Sequence, residues 1–409
     1  MGVDWHLPRR PRGHRNRALS KTKLLARSPA YDIDAIRRRI PSLERFIFMN
    51  NCSQAPQMDL TRDAAEAYLE SWGQDGMDWD RWIGEVEGAR AAFAQLIKAD
   101  PQDVAVCTSV SQATSSVASV FDFAKGRRKI VATEGEFPTV GQVWKAQESR
   151  GATVEWIPAR SGMIPLEGYQ GKLDEDTQIV SACHAYYQSG FKQDIPAITG
   201  LAREVGALIY VDAYQSLGTG PIDVREWDVD FLASGSLKFL MGMPGIAFLY
   251  VKPSLAERLE PTVTGWFGRA DPYSFDPRDT SWAPGARRLE TGTPPVLESF
   301  VGRAAMEYLQ GVGLEPIGHW NKELSQALVT GGEARGLTLL GIADPECKTP
   351  TTAFLVPGDP HEVEGKMKER GVLATARGPA IRLAPHFYST LEDVEMALDI
   401  LIDVLRGPA

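Results

Sequence analysis

The apolar positions of this chain change period as it is read. Between residues 80 and 99, Trp82, Val86, Ala89, Phe93 and Leu96 recur at spacings of four and three, which places them on one stripe of a helix. A helix over 60–72 precedes it. From residue 103 the stripe gives way to short, mostly continuous apolar runs: "DVAVCT", "KIVAT", "TVEWIP", "TQIVSA", "ALIYVD", "DFLAS" and "GIAFLYV". A strand buried on one face alternates apolar and polar residues, whereas a strand buried on both faces does not. The seven runs therefore predict a mostly parallel sheet covered by helices, and most are separated by enough chain for a crossover helix or a loop. Gly, Pro and Trp crowd residues 264–296, which reads as a long irregular connection. Helical and strand patterns then alternate up to "STLEDVEMALDILIDVL", where Thr390 with Asp393 three residues on marks a helix N-terminus.

The organisation expected is an α/β protein. A basic arm spans 1–30, and an N-terminal segment over 31–59 ends in the loop "MNNCSQAPQ". A three-layer α/β/α large domain with a mostly parallel sheet follows over 60–285. A smaller α+β C-terminal domain closes the chain over 286–409.

Composition narrows the function. With 43% hydrophobic and 24% charged residues among 409, the chain is of ordinary globular type. The net charge is −9, yet residues 1–30 carry +7, so the remainder carries −16. Such an acidic body argues against nucleic acid as the partner. The longest apolar runs, such as Gly245 to Val251, are far too short to span a bilayer. The arm reads as disordered, although an Arg-rich, acid-poor stretch is also the composition of a transit peptide. After Arg9-Arg10 no apolar stretch follows, against a twin-arginine signal. Four scattered cysteines without a CxxC pair fit a reducing cytoplasm, and with no HxxxH or HExxH pattern no metal is expected.

In a parallel sheet, ligands gather at the carboxyl ends of the strands. Asp212 follows "ALIYV" and Lys238 follows "DFLAS", so if the two strands are neighbours both face one crevice. Together they suit pyridoxal phosphate, whose aldehyde needs an amine and whose pyridine nitrogen needs a carboxylate. "CTSVSQATSSVASV" runs from a strand through a polar turn into a helix, a phosphate cradle with Ser111, Gln112, Ala113 and Thr114 as candidates. Phe137, just after "KIVAT", is placed to cover the ring. Arg382, in "AIRLAPHFY", is the candidate for an amino acid's carboxylate.

Residues 210–251, "YVDAYQSLGTGPIDVREWDVDFLASGSLKFLMGMPGIAFLYV", resemble the cofactor signature of the class V aminotransferase superfamily, and weaker similarity extends over about 45–405. These are fold-type I pyridoxal-phosphate enzymes, among them kynureninases, cysteine and selenocysteine lyases, desulfurases, epimerases and aminotransferases. The resemblance implies a PLP-transferase-like fold. It implies that Lys238 forms the internal aldimine, Asp212 pairs with the pyridinium nitrogen and Gln215 bonds the phenolic oxygen. It further implies that Ser236 binds phosphate and that Phe137 stacks on the ring, an aromatic as in kynureninase-like members. Immediately before the lysine, where many relatives carry a histidine, this chain has Leu237. "RRLETGTPP" resembles the segment that crosses a homodimer interface, so that Gly292-Thr293 reach the partner's cofactor. "NNCSQAP" is similar to the substrate-side loop, with Asn51 or Ser53 near the carboxylate that Arg382 binds. "GWFGRADPYSF" resembles a segment of kynureninases and some lyases, which implies a cover over the substrate pocket.

Desulfurases carry a nucleophilic cysteine shortly before that arginine, and "KERGVLATARGPAIR" contains none. The expectation is therefore a cytoplasmic, homodimeric enzyme that removes the α-proton of an amino acid with Lys238 and cleaves a β-bond. Transamination is the first alternative. Racemisation and decarboxylation use the same residues, and a non-catalytic cofactor-binding role is the reading from outside enzymology.

Overall fold

All seven runs are strands in the computed structural model, which describes residues 28–407. The basic arm expected over 1–30 lies, for residues 1–27, outside the described residues. A short strand, β1 (Ile47–Phe48), comes first in the chain. The seven are β2 (Val104–Cys107), β3 (Lys129–Thr133), β4 (Thr153–Ile157), β5 (Thr177–Cys183), β6 (Leu208–Asp212), β7 (Phe231–Gly235) and β8 (Ala247–Val251). They form one sheet in the order β2-β8-β7-β6-β5-β3-β4. β8 runs antiparallel to both its neighbours and the other pairs are parallel.

The runs are continuous because both faces of the sheet are covered. Along β6, Ile209 and Val211 enter one core and Tyr210 another, as the two-residue period of a strand requires. On the first face the helix Trp79–Leu96 brings Val86, Ala89, Phe93 and Leu96, the stripe visible in the sequence. Phe93 stacks on Phe248 of β8 with ring centroids 4.5 Å apart. On the second face the helices Val110–Ser119 and Pro138–Ala146 supply Val117, Val140 and Trp144. Burying a side chain of this size contributes about 1.5–3 kcal/mol, so the two faces lock the sheet between helices in three layers.

The C-terminal part carries β9 (Thr338–Leu340), β10 (Thr352–Leu355), β11 (Val372–Leu373), β12 (Thr375–Arg377) and β13 (Ala380–Leu383). Four of them form an antiparallel sheet in the order β12-β13-β10-β9. β11 instead pairs in parallel with β1, so the N-terminal segment is stitched to this part. The helices Leu314–Glu333 and Leu391–Arg406 pack on each other beside the small sheet. The second starts at a capping box: Thr390 Oγ1 accepts from the Asp393 amide, and the Asp393 carboxylate accepts from the Thr390 amide. The helix Val296–Val312, which the sequence assigns to the C-terminal domain, packs along Trp79–Leu96 of the large layer. There Gln310 donates to the Ala92 carbonyl at 2.7 Å. Among the described residues no helix is long and apolar enough to cross a membrane.

Candidate active site

β6 and β7 are neighbours, with Asp212 in register with Ala233, so the two strand ends open side by side. Asp212 closes β6, while Ser236 and Leu237 lead from the end of β7 to Lys238. Both side chains line a cavity of about 370 Å³ that also receives Gln215, Phe137, Ser111 and Arg382. Lys238 is 9% exposed, and its amine makes no hydrogen bond or ion pair among the described residues. It lies 4.1 Å from the ring centroid of Tyr214 and 5.3 Å from that of Phe137. Tyr214 sits so close because Gly235 has no side chain: a Cβ there would come within 2.4 Å of the tyrosine ring and its hydroxyl.

Burial pulls the Lys238 amine down to about 8, the Asp212 carboxylate opposes this, and the guanidinium groups of Arg382 and Arg377 add to it. Burial also pushes the Asp212 carboxyl up, against the Tyr214 amide that donates to it at 2.8 Å and against the charge of Lys238. Behind Asp212 lies a second buried acid, Glu136. Burial, with the Asp212 charge second, raises it to about 8, while the Ser181 hydroxyl bonded at 3.1 Å opposes the rise. One of its oxygens has no hydrogen-bond partner among the described residues.

The polar turn before the helix Val110–Ser119 contributes differently from its expected set. Thr108, Ser109 and Ser111 line the cavity. Gln112 turns aside: its amide donates to Thr291 at 2.7 Å, and its oxygen accepts from the amide and hydroxyl of Thr108. Ala113 is packed in the second-face core, and the Thr114 hydroxyl is sealed beneath it, bonded to Tyr210 and to the Val110 carbonyl. Helical periodicity explains this, because the turn from Ser111 to Thr114 carries the chain from the crevice into the sheet. Ser236 is fully buried and donates to the Met243 carbonyl at 2.8 Å, tying down the loop after β7. Thr293 is exposed and does not line the cavity. Gln215 reaches the cavity with its amide donated to the Cys52 carbonyl at 3.0 Å.

The wall formed by the C-terminal part holds the guanidinium groups of Arg377 and Arg382. Arg382 on β13 is 1% exposed, donating to the Tyr187 carbonyl at 2.5 Å and to Ser53 Oγ at 3.0 Å. Ser53 lines the cavity; Asn51 does not. The Asn51 amide donates to the Ala384 carbonyl and its oxygen accepts from the Tyr388 hydroxyl, each at 2.8 Å, which makes it a brace of the loop. Two wall residues went unnoticed in the sequence, Tyr214 and Arg377. Tyr214 stands two residues after Asp212, where the chain turns under the strand end. Arg377 stands five residues before Arg382, on the paired strand β12. The aromatic segment Gly265–Phe275 does not line this cavity; Trp266, Phe275 and Arg269 border a separate one of about 490 Å³.

The donor set fits pyridoxal phosphate. It offers a buried amine without a hydrogen-bond or ion-pair partner, a strand-end carboxylate, an amide, a phenyl face, and three hydroxyl residues at a helix N-terminus suited to phosphate.

Comparison with known proteins agrees. The family model described as aminotransferase class-V matches residues 76–393. YcbU of Bacillus subtilis (strain 168), described as an uncharacterised aminotransferase, is 37% identical over 363 residues, covering 89% of this chain and 95% of its own. A kynureninase of Deinococcus radiodurans is 30% identical over 255 residues, covering 62% of this chain and 61% of its own. Among solved structures, the apo cysteine desulfurase of Thermococcus onnurineus NA1 superposes with a TM-score of 0.83 at 20% identity. It covers 94% of this chain and 100% of that one, a likeness of fold.

Proposed function

Because the chain belongs to the class V aminotransferase family, and so is a pyridoxal-phosphate enzyme acting on an amino acid, we propose that it is a β-lyase. When bound, pyridoxal phosphate supplies a sink for the electrons left at the substrate's Cα. Lys238 takes the α-proton. Where the β-substituent departs with the bonding pair, Lys238 gives it that proton, and water converts the remaining enamine to pyruvate and ammonia. Where the β-substituent is an acyl group passed to water, the pair stays on Cβ and Lys238 protonates it to give alanine. Asp212 keeps the proton on the ring nitrogen, and Gln215 binds the phenolic oxygen. Thr108, Ser109 and Ser111 hold phosphate, Phe137 covers the ring, and Arg382 with Ser53 binds the α-carboxylate. Arg382 suits that task because its donors are already aimed by Tyr187 and Ser53.

The observation that carries this reading is Phe137, an aromatic ring 5.3 Å from the catalytic amine, in a chain 30% identical to a kynureninase over 255 residues and without a cysteine in the stretch ending at Arg382. Incubating the holoenzyme with β-substituted cysteine and alanine derivatives should release pyruvate or alanine. Neither product across a broad panel would sink the proposal. Transamination is a second reading, supported by the description of YcbU. A lasting change in cofactor absorbance under an amino acid alone, reversed by a keto acid, would select it.

The working unit in this proposal is a cytoplasmic homodimer in which Gly292 and Thr293 reach the partner's cofactor. The exposed Leu69, Trp72, Met77 and Phe275 support an interface, and four cysteines free of disulfides support a reducing compartment. Light scattering behind a sizing column should give twice the 44.9 kDa chain mass.

A further inference from the structure

β12 and β13 form a hairpin closed by Gly378-Pro379, and Gly378 (φ 54) takes the first central position, as a type II′ turn requires. The register sets Thr375 opposite Arg382 and Arg377 opposite Ala380. Residues two apart on a strand share a face, so Arg377 lies on the same face as Thr375 and Arg382. Arg377 and Arg382 are thus a diagonal pair, with backbones about 7–8 Å apart. Both line the cavity, and both depress the basicity of the Lys238 amine.

The two guanidinium groups are held differently. Arg382 is braced by Tyr187 and Ser53. The Arg377 guanidinium makes no hydrogen bond or ion pair among the described residues; the residue is half-buried with its Nε sealed from solvent, as the Nε of Arg382 also is. Glu364, whose charge acts on Arg382, accepts from the Ala376 amide at 3.0 Å and forms no ion pair with Arg377. Asp212 is the one carboxylate that lines the cavity, and in the proposed function it pairs with the ring nitrogen. A guanidinium with a desolvated donor and no partner is costly unless a ligand completes it. One α-carboxylate satisfies Arg382 and leaves Arg377 unmatched.

We propose that the substrate is an amino acid whose side chain ends in a second oxyanion, a carboxylate, and that Arg377 binds it while Arg382 holds the α-carboxylate. The inference rests on the reading of Arg382 as the α-carboxylate site, and it holds for lyase and transaminase chemistry alike. A planar fork with five donors discriminates a carboxylate from an amide of the same shape, because the amide offers one oxygen and turns two hydrogens toward the cation.

The test is binding, read from cofactor absorbance on mixing the holoenzyme with L-aspartate, L-glutamate and their neutral isosteres L-asparagine and L-glutamine. At least one dicarboxylate should bind about tenfold or more tighter than its amide, since a charge-assisted hydrogen bond contributes roughly 1.5–3 kcal/mol. Arg377→Met should erase that preference by weakening the dicarboxylate alone, while Arg382→Met weakens all four. Arg377→Lys, with the charge kept, should restore part of the preference, and a melting curve for each variant checks its folding. Equal binding of acid and amide by the wild type overturns the proposal, as does an Arg377→Met variant that loses affinity for both equally. Absence of any spectral response to the four ligands overturns it as well. Failure to release pyruvate or alanine while the acid preference persists removes the lyase reading and leaves this one standing.

Discussion

At the floor of the cavity a carboxylate and an amine end neighbouring parallel strands of the large sheet; at its wall two guanidinium groups share one face of an antiparallel hairpin. The floor carries one charge of each sign, while the wall carries two positive charges and no carboxylate between them. A site of opposed charges is complete once the cofactor is seated. A wall of like charges is complete only with an anion from outside. In the proposed function the floor serves the cofactor and the wall the substrate, a division that bears on the lysine between them. Asp212 supports its protonation, whereas Arg382 and Arg377 oppose it.

Removing the floor should cost most. Lys238→Ala should lower kcat by about 10²–10⁴-fold, the range of a lost general base, and abolish the absorbance of the lysine-bound cofactor. If turnover and absorbance both survive, the floor is misassigned. On the wall, Arg382→Met should raise KM by about 10–100-fold with a smaller change in kcat, matching one lost charge-assisted interaction. A fall in kcat alone would place Arg382 with the floor. A subtler measurement sets the two regions against each other. In cofactor-free protein, the rate at which Lys238 is labelled by an amine reagent should rise with pH through an inflection near 8, because only the neutral amine reacts. Asp212→Asn should move that inflection down and Arg382→Met should move it up. Shifts of the same sign would contradict the opposition of floor and wall.

The smallest effect concerns the acid behind the floor. Glu136 is raised to about 8 by burial, so between its ordinary value near 4.5 and about 8 the folded state holds a proton that the unfolded state has released. Stability drawn from that proton is full below the ordinary value and falls as pH rises through this window, by on the order of 1 kcal/mol per pH unit from this group. Glu136→Gln keeps the shape without the proton. Melting temperatures of cofactor-free protein from pH 5 to 8 should decline less steeply in the variant.

The floor was readable in the sequence because its signals are local. Continuous apolar runs mark strands buried on both faces, and a charged residue shortly after such a run marks a strand end, which is how Asp212 and Lys238 stand out. The wall was only half readable. Arg382 betrays itself by apolar flanks, but Arg377 sits beside a glycine and a proline like any turn residue. Its importance appears only when the register sets Thr375 against Arg382. The phosphate cradle shows the same limit: "SVSQATSS" offers several hydroxyls, and the roll of the helix decides that Ser111 faces the cavity and Thr114 the core. Ser236 and Asn51 are consumed by loop carbonyls that lie far from them in sequence or across a turn, and composition carries no trace of that.

The pairing of β1 with β11 sets an order of events during synthesis. Ser53 and its partner Arg382 are separated by 329 residues, and Asn50 bonds Thr375 across 325. At about 5–20 residues per second, the loop around Ser53 leaves the ribosome roughly 15–65 s before the strand that receives it exists. The large sheet can assemble in that interval with the floor of the cavity already in place. A nascent chain stalled before residue 372 would hold the strand ends that carry Asp212 and Lys238 but lack both guanidinium groups of the wall.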